Sequence, residues 1–358
     1  MGLPEVASVG LQSLSFRYPG ASEDTLRHID LTVADGEAFA LLGASGAGKT
    51  TMLNLLSGLL APTDGRVVFN DDDVSHAAPK VRNVAQVFQF PVLYDSLSVA
   101  DNLAFPLRAR GVARQTAQAR VDAIVGELGL SELLARKPGG LSMFQKQLVA
   151  IGRALVRPDV SVVLLDEPLT AVEPKIKWQL RRSLRRVQQE LGVTMIYVTH
   201  DQTEALSFAQ RVAVMADGTL LQVGTPDEIY SQPATEFVGH FIGSPGVNFL
   251  PRHVAPRLAC EARCERIGFR PEWASLADAQ VDADTDRDAG AMQSRVLGTR
   301  VVGTRDGVSY GHTQCEVNGQ TIVVTGAIQH QRGAQVWVAL DRFLQYADGQ
   351  RIAGEASR

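Results

Sequence analysis

The chain has 358 residues, 45% of them apolar and 21% charged, and its 35 basic and 39 acidic side chains leave a formal net charge of -4. This is the balance of an ordinary globular protein with room for two domains. The charge gives no support to an extended nucleic-acid footprint, although a local basic patch stays open. No N-terminal stretch reads as a signal peptide and no apolar run is long enough to cross a bilayer, so the expected place is the cytoplasm unless a partner holds the chain at a membrane. Three cysteines are too few for a disulfide framework. Cys260 and Cys264 would stand one turn apart if the segment were helical, but without further ligands nearby they read as free thiols rather than a zinc site.

In chain order, Leu11 to Tyr18 alternates like an edge strand and Pro19-Gly20 turns it over. A second strand, His28 to Val33, is followed by Asp35-Gly36, which reads as a hairpin turn. The apolar run Ala38 to Leu42 then leads into Gly43-Ala44-Ser45-Gly46-Ala47-Gly48-Lys49-Thr50-Thr51 and a helix from Met52. This is a P-loop in its proper strand-to-helix setting. Its glycines let backbone N–H groups turn inward around phosphates, Lys49 reaches the β- and γ-phosphates, and the Thr50 hydroxyl is placed for Mg²⁺. A nucleoside triphosphate is the expected ligand. Tyr18, shortly before this site, either covers core at a strand end or stacks on a purine.

Beyond the P-loop helix, Pro62 to Gly65 turns into the strand Arg66 to Phe69, and Val84 to Gln89 reads as a strand that Pro91 stops. Gln89 is either a polar strand end or an acceptor from Mg²⁺-bound water. Residues 98 to 136 read as mostly helical, with apolar positions at Leu103, Leu107, Val121, Ile124, Val125 and Leu128. Leu141-Ser142-Met143-Phe144-Gln145 opens a helix whose apolar face carries Leu148, Ile151, Leu155 and Val156. The buried strand Val162 to Leu165 ends in Asp166-Glu167. After a P-loop, such an Asp holds the Mg²⁺ water shell and the next carboxylate is placed as general base. A long helix from Pro174 carries Arg181, Arg182, Arg185 and Arg186, which read as a solvated basic face. The strand Thr194 to Thr199 then delivers His200 to the sheet edge expected for Asp166 and Gln89, within reach of a γ-phosphate. A hairpin turning at Asp217-Gly218 and a short helix from Thr225-Pro226 follow. From Ser244 the pattern changes to short alternating strands with turns at Asp306-Gly307 and Asn318-Gly319, an acidic surface loop from Asp278 to Asp288, and a last strand, Val336 to Leu340.

With the P-loop, Gln89, Leu141-Ser142, Asp166-Glu167 and His200 in this order, the chain resembles the ATPase subunits of ATP-binding-cassette transporters. Gly243 to Leu250 and Gly268-Phe269-Arg270-Pro271-Glu272 are similar to motifs of the maltose and glycerol-3-phosphate importer ATPases, and Pro168-Leu169-Thr170 with Lys177-Trp178 to the glycerol importer subgroup. The resemblance implies an α/β P-loop ATPase domain with a helical subdomain over residues 1–243 and a small all-β, OB-like regulatory domain of the TOBE type over 244–358. It implies ATP and Mg²⁺ as cofactors, the latter held through Thr50, Gln89 and Asp166. Tyr18 becomes the adenine-stacking aromatic, Gln89 the sensor of the membrane subunits, Glu167 the catalytic base and His200 the switch histidine. The implied partners are permease subunits, an external solute-binding protein and a second ATPase chain, with no nucleic acid. The implied place is the cytoplasmic face of the inner membrane, held peripherally.

Two departures bear on mechanism. The family's signature loop reads Leu-Ser-Gly-Gly-Gln and clamps the nucleotide of the opposite subunit; here Ser142 and Gln145 remain but the glycines are Met143 and Phe144. A Phe there obstructs close backbone approach or demands a different path. In the loop after Glu167, the usual Asp is Glu173. Both altered loops serve the partner's nucleotide, so pairing with a non-identical ATPase is expected to leave one good site. A homodimer that still turns over is the alternative. Rival readings are a cassette ATPase acting on nucleic acid or ribosomes, and a mainly regulatory nucleotide-binding subunit.

Overall fold

The computed structural model describes residues 7–170, 172–278, 291–306 and 308–352, with the backbone of 356–357. Residue-to-residue contacts divide the chain into two compact units, Met1–Pro226 and Asp227–Arg358.

In the first unit, β1 (Val9–Phe16) and β2 (Leu26–Val33) precede β3 (Ala38–Gly43), and the P-loop opens α1 (Lys49–Ser57). Then come β4 (Asp64–Phe69), β5 (Asp72–Asp73), α2 (Pro79–Arg82), β6 (Val84–Val87), α3 (Val99–Ala109), α4 (Arg114–Leu128) and α5 (Met143–Leu155). The unit continues through β7 (Val162–Asp166), α6 (Pro174–Leu191), β8 (Thr194–Thr199), α7 (Gln202–Phe208), β9 (Arg211–Ala216) and β10 (Thr219–Gly224). A four-stranded antiparallel sheet runs β2-β1-β4-β5, and a six-stranded sheet runs β10-β9-β3-β8-β7-β6.

Two expectations are corrected here. The strand after Leu11 is not an edge: β1 pairs with β2 on one side and β4 on the other. Asp35-Gly36 does not close a hairpin, since β3 pairs in parallel with β8 and β9 instead of with β2. The burial patterns give the reason. β2 alternates between buried and exposed, as one face of an antiparallel sheet does, whereas every residue of β3 is buried, as a central parallel strand requires. The turn therefore carries the chain from one sheet to the other. Between the sheets lies α1, whose Met52, Leu53, Leu55 and Leu56 share a core with Leu14, Ile29, Phe39, Leu41 and Ile196.

The far end of α1 is closed by a side chain that periodicity does not reveal. Arg82, 2% exposed, donates Nη1 to the carbonyls of Leu55 and Leu56, Nη2 to Ser75 O and Nε to Ala77 O. A cation at a helix C-terminus meets unpaired carbonyls and the negative end of the dipole, which compensates its burial.

In the second unit, α8 (Pro226–Ser231, its first residue on the boundary) and α9 (Glu236–Phe241) precede β11 (Asn248–Pro251), β12 (Arg266–Phe269), β13 (Ala274–Asp278), β14 (Met292–Arg305) and β15 (Val308–Val317). β16 (Gln320–Ala327), β17 (Gln335–Leu340), β18 (Arg342–Ala347), β19 (Gln350–Arg351) and β20 (Ala356–Ser357), which pairs with β18, complete it. They form two antiparallel sheets, β11-β12-β18-β19 and β13-β17-β14-β15-β16, around a core that includes Leu250, Ile267, Val296, Cys315 and Val338. The division falls ahead of the change of sequence pattern at 243/244 because the two short helices are fastened to the sheets. Fully buried Arg270 donates to the carbonyls of Tyr230 and Ile242, and the Tyr346 hydroxyl to Pro233 O. The Asn318-Gly319 turn joins β15 and β16 with φ of 46° and 78°. Gly307 and most of the 278–288 loop lie outside the described residues. All three cysteines are free.

Replacing Arg82 with Met leaves the carbonyls of Leu56, Ser75 and Ala77 without donors, while Leu55 O keeps the Gly58 N–H. The expected cost is about 3 kcal/mol or more of unfolding free energy, read from urea denaturation of the whole chain.

Candidate active site

The parallel register of the six-stranded sheet decides which loops meet. Leu42 stands opposite Thr199, Asp166 opposite Val198 and Val87 opposite Leu165, so β3, β8, β7 and β6 end together. Across that edge lie, in order, the P-loop, His200, Asp166-Glu167 and the segment carrying Gln89. Ligands of open α/β sheets bind at such a carboxyl-terminal edge.

The P-loop fits a polyphosphate. Gly48 takes φ of 99° at the N-cap of α1, with no side-chain cap and no acidic residue in the first turn, so the first N–H groups of the helix are left for an anion. A side chain at Gly48 would strike Leu26 Cδ2, and one at Gly43 would lie 2.4 Å from Met215 O. Lys49 Nζ donates to Gly43 O and Ala44 O at 2.8 Å each, so the ammonium sits inside the loop. Burial draws its pKa below the ordinary lysine value, against the opposing pull of the Glu167 and Asp166 carboxylates. The Tyr18 hydroxyl lies 3.2 Å from Thr51 Oγ1, and its ring meets Phe16 edge-on. The aromatic is therefore tied to the P-loop helix and remains 40% exposed.

Asp166 closes β7, where burial first and Glu167 second raise its pKa, with Lys49 opposing. Glu167 follows in a left-handed conformation, φ 44°, its N–H donating to Val198 O. A non-glycine residue adopts that conformation at a cost, and only where neighbours hold it. Its Oε1 lies 3.1 Å from His200 Nδ1, and its Oε2 accepts from Thr170 Oγ1 at 3.1 Å. The expected catalytic pair is thus in contact. Among the described residues no cluster of three or more His, Cys, Asp or Glu forms a metal cage. The donors at hand are the Thr50 hydroxyl and the Asp166 carboxylate, a set suited to a cation that arrives with phosphates.

Three further features are not visible in sequence spacing. Behind His200, buried Glu204 accepts from Lys177 Nζ at 2.9 Å, Tyr197 OH at 3.0 Å and Thr199 Oγ1 at 2.9 Å. Thr199 Oγ1 in turn accepts from Asp201 N, so both neighbours of His200 in the chain belong to this network. Burial, then the Glu204 charge, hold the Tyr197 hydroxyl well above its usual pKa, as a donor. Next, β6 ends at Val87, two residues before Gln89, and the buried Gln147 of α5 donates to Phe88 O. Third, a groove of about 340 Å³ lies beside Gln89, lined by Phe88, Val92, Tyr94, Phe105 and Arg153, with Arg153 over the Tyr94 ring and donating to Val92 O. Phe88, Val92 and Tyr94 are 46%, 61% and 45% exposed. An apolar patch of this kind marks an interaction surface.

Ser142 is the N-cap of α5 in a reciprocal capping box: its Oγ accepts from Gln145 N, and Gln145 Oε1 accepts from Ser142 N. Met143 and Phe144 form the first helical turn, and neither has positive φ. The backbone follows an ordinary helical path, so what replaces the two glycines is side-chain volume alone. Lys146 N returns to Ser142 O, which leaves the N–H groups of Met143 and Phe144 unpaired among the described residues. The Ser142 hydroxyl, accepting at its oxygen, keeps its hydrogen to donate. Glu173 stands at the N-cap of α6 with no side-chain cap bond. The shorter Asp is a much better N-cap.

A P-loop, a strand-end acid pair and a histidine in contact with it on one sheet edge define a P-loop nucleoside triphosphatase. Residues 26–170 match the ABC transporter family. The chain is 39% identical over 307 residues to the sn-glycerol-3-phosphate import ATP-binding protein UgpC of Chromohalobacter salexigens, covering 82% of each. It is 48% identical to the trehalose/maltose import ATP-binding protein MalK of Thermococcus litoralis, over 63% of this chain and 62% of that one. It is 44% identical to the sulfoquinovosyl glycerol transport ATP-binding protein SmoE of Agrobacterium fabrum, over 70% and 69%. Among solved structures it resembles cbiO1 of Clostridium perfringens, part of the ABC transporter complex cbiONQ, with TM-score 0.59 and 28% identity over 63% of this chain and 90% of that one. The chain belongs to the ABC transporter family, as the ATPase subunit of an importer.

Two measurements test the geometry. Lys177→Met strands a buried carboxylate and is expected to cost about 3 kcal/mol in chemical denaturation. Asp166→Asn removes a carboxylate whose raised pKa opposes folding above that pKa and not below the unfolded value. The nucleotide-free variant is expected to melt a few degrees higher than the parent at neutral pH, a gap that closes as pH falls towards about 4.

Proposed function

We propose that this chain hydrolyses ATP to drive import of a sugar, polyol or glycerol phosphate through separate permease subunits. The observation that carries the reading is the meeting of Lys49, Asp166, Glu167 and His200 at one sheet edge, in a chain similar over most of its length to import ATP-binding proteins. The P-loop N–H groups and Lys49 hold the β- and γ-phosphates, and the exposed Tyr18 ring covers adenine. Thr50, Asp166 and Gln89 are the residues that would hold Mg²⁺ with its waters, and the ion would supply neutralisation of charge on the transferring phosphoryl group. Glu167 takes the proton from the attacking water. His200 and Thr170 fix its carboxylate for that task, and His200 turns to the γ-phosphate when the site closes.

Closure requires a second ATPase chain, whose nucleotide lies against Ser142 and the N-terminus of α5. Met143 and Phe144 fill the space where the family keeps glycines, and loss of one positioned oxyanion contact costs about 3–4 kcal/mol of transition-state stabilisation. This favours a non-identical partner with a regular signature, leaving this chain's P-loop in the competent site. The apolar groove beside Gln89 suits a short helix of the permease, and a solute-binding protein outside the membrane supplies the solute. Among the described residues no helix is long and apolar enough to cross a membrane, in keeping with a subunit held peripherally at the cytoplasmic face by that groove.

Glu167→Gln in the assembled transporter is expected to lower ATP turnover by about 10²–10⁴-fold while nucleotide affinity stays near that of the parent. Purified alone with ATP, the same variant is expected to remain monomeric, and adding Met143→Gly and Phe144→Gly to produce ATP-dependent dimers in light scattering. Dimers of the Glu167→Gln chain with Met143 and Phe144 in place would contradict the heteromeric pairing. Unchanged turnover would contradict the role given to Glu167.

A further inference from the structure

The second unit carries a cavity lined by none of the residues assigned to ATP hydrolysis. It has a volume of about 330 Å³, within the roughly 300–1,000 Å³ usual for small-ligand sites. Its floor is the outer face of β14, β15 and β16. Register places Arg300 beside His312 and His312 beside Thr325, and in the next row on that face Gly298 beside Gln314 and Gln314 beside Val323. Thr313 and Val324, between the rows, are buried on the opposite, core-facing side. Ser244 stands at the rim. The loop that bears it is clamped to the floor by Asn248, whose amide donates to Val323 O and accepts from Val323 N, both at 2.8 Å.

Three features give the cavity a chemical preference. On the same strand Arg295 pairs with Glu316 and Arg305 lies against Asp306, whereas Arg300 has no carboxylate within ion-pair distance among the described residues. His312 is oriented by a 3.0 Å bond between Nδ1 and Thr325 Oγ1, and its Nε2 has no protein partner among the described residues. Gly298 is the third. Glycine inside a strand weakens it, yet here φ is not positive and a Cβ would meet nothing within 4 Å. Neither backbone strain nor packing explains it. It follows a register shift after Val296, and bulges of this kind re-aim a strand beside binding sites. What its missing side chain does is keep the cavity open.

We infer that this cavity binds a small hydroxylated oxyanion, a phosphomonoester or a carboxylate, through the Arg300 guanidinium and His312, with Gln314 and Ser244 taking its hydroxyl groups. Guanidinium recognises such oxyanions through charge-assisted bonds. The binding is independent of ATP hydrolysis and stands or falls apart from the transport reading.

The test is calorimetric titration of the whole chain saturated with Mg·ADP, so that the P-loop is already filled. The titrants are glycerol 2-phosphate and glycerate, with glycerol as the neutral control. One site per chain is expected for at least one oxyanion, and whichever binds more tightly identifies the head group. Arg300→Ala is expected to weaken binding about tenfold or more. Gly298→Leu, which fills the cavity, is expected to abolish it, and Arg305→Ala to leave it unchanged. Gln314→Ala replaces Gly298→Leu in the test if the leucine variant does not fold. No heat from either oxyanion, glycerol binding as well as they do, or binding that survives Arg300→Ala or the cavity variant unaltered would overturn the assignment.

Discussion

Everything at the ATP site depends on one constraint, the in-register ending of four parallel strands. Hydrogen bonding between β3, β8, β7 and β6 fixes where each strand stops, so residues far apart in sequence meet without long-range side-chain contacts to recruit them. The constraint also sets the electrostatics. Lys49 curls into its own loop and the two carboxylates lie at the end of β7, one strand removed from β3; burial drives Asp166 towards protonation, helped by Glu167, and drives the ammonium towards neutrality against the pull of both carboxylates. A site balanced in this way accepts a polyanion with its cation at little cost in reorganisation.

Much of this was legible in the sequence, for identifiable reasons. The P-loop and Asp166-Glu167 each sit at the end of an uninterrupted apolar run, and such runs announce a buried parallel strand and its carboxyl end together. The shared edge of Asp166 and His200 followed from that; Gln89 lies two residues beyond the end of β6, whose run is broken by Gln86. Pairing did not follow: β2 and β3, separated by an ordinary turn sequence, join different sheets, and only the burial of both faces of β3 decides it. Arg82, Glu204 and Lys177 were illegible because each is a polar residue satisfied by groups distant in sequence, and no periodicity marks such a partner. Thr170, three residues beyond Glu167, was within reach of the turn geometry and is the omission that local reasoning could have avoided.

The loop at Ser142 shows how little a backbone records of a change in side-chain volume. The capping box holds Ser142 and Gln145 as a rigid helix start, and two bulky residues stand where glycines were expected without bending the chain. The same holds at Gly298, where an empty position is the informative one.

The Glu204 network has a mechanical consequence. Three side-chain donors, two from β8 and one from α6, meet on a single buried carboxylate, so strand and helix are joined at a point that cannot yield without leaving a charge unpaired. The near end of α6 is the loop at Glu173, and the near end of β8 is His200. Displacement at one is therefore delivered to the other as by a stiff lever, so that movement of the loop at Glu173 is felt at His200.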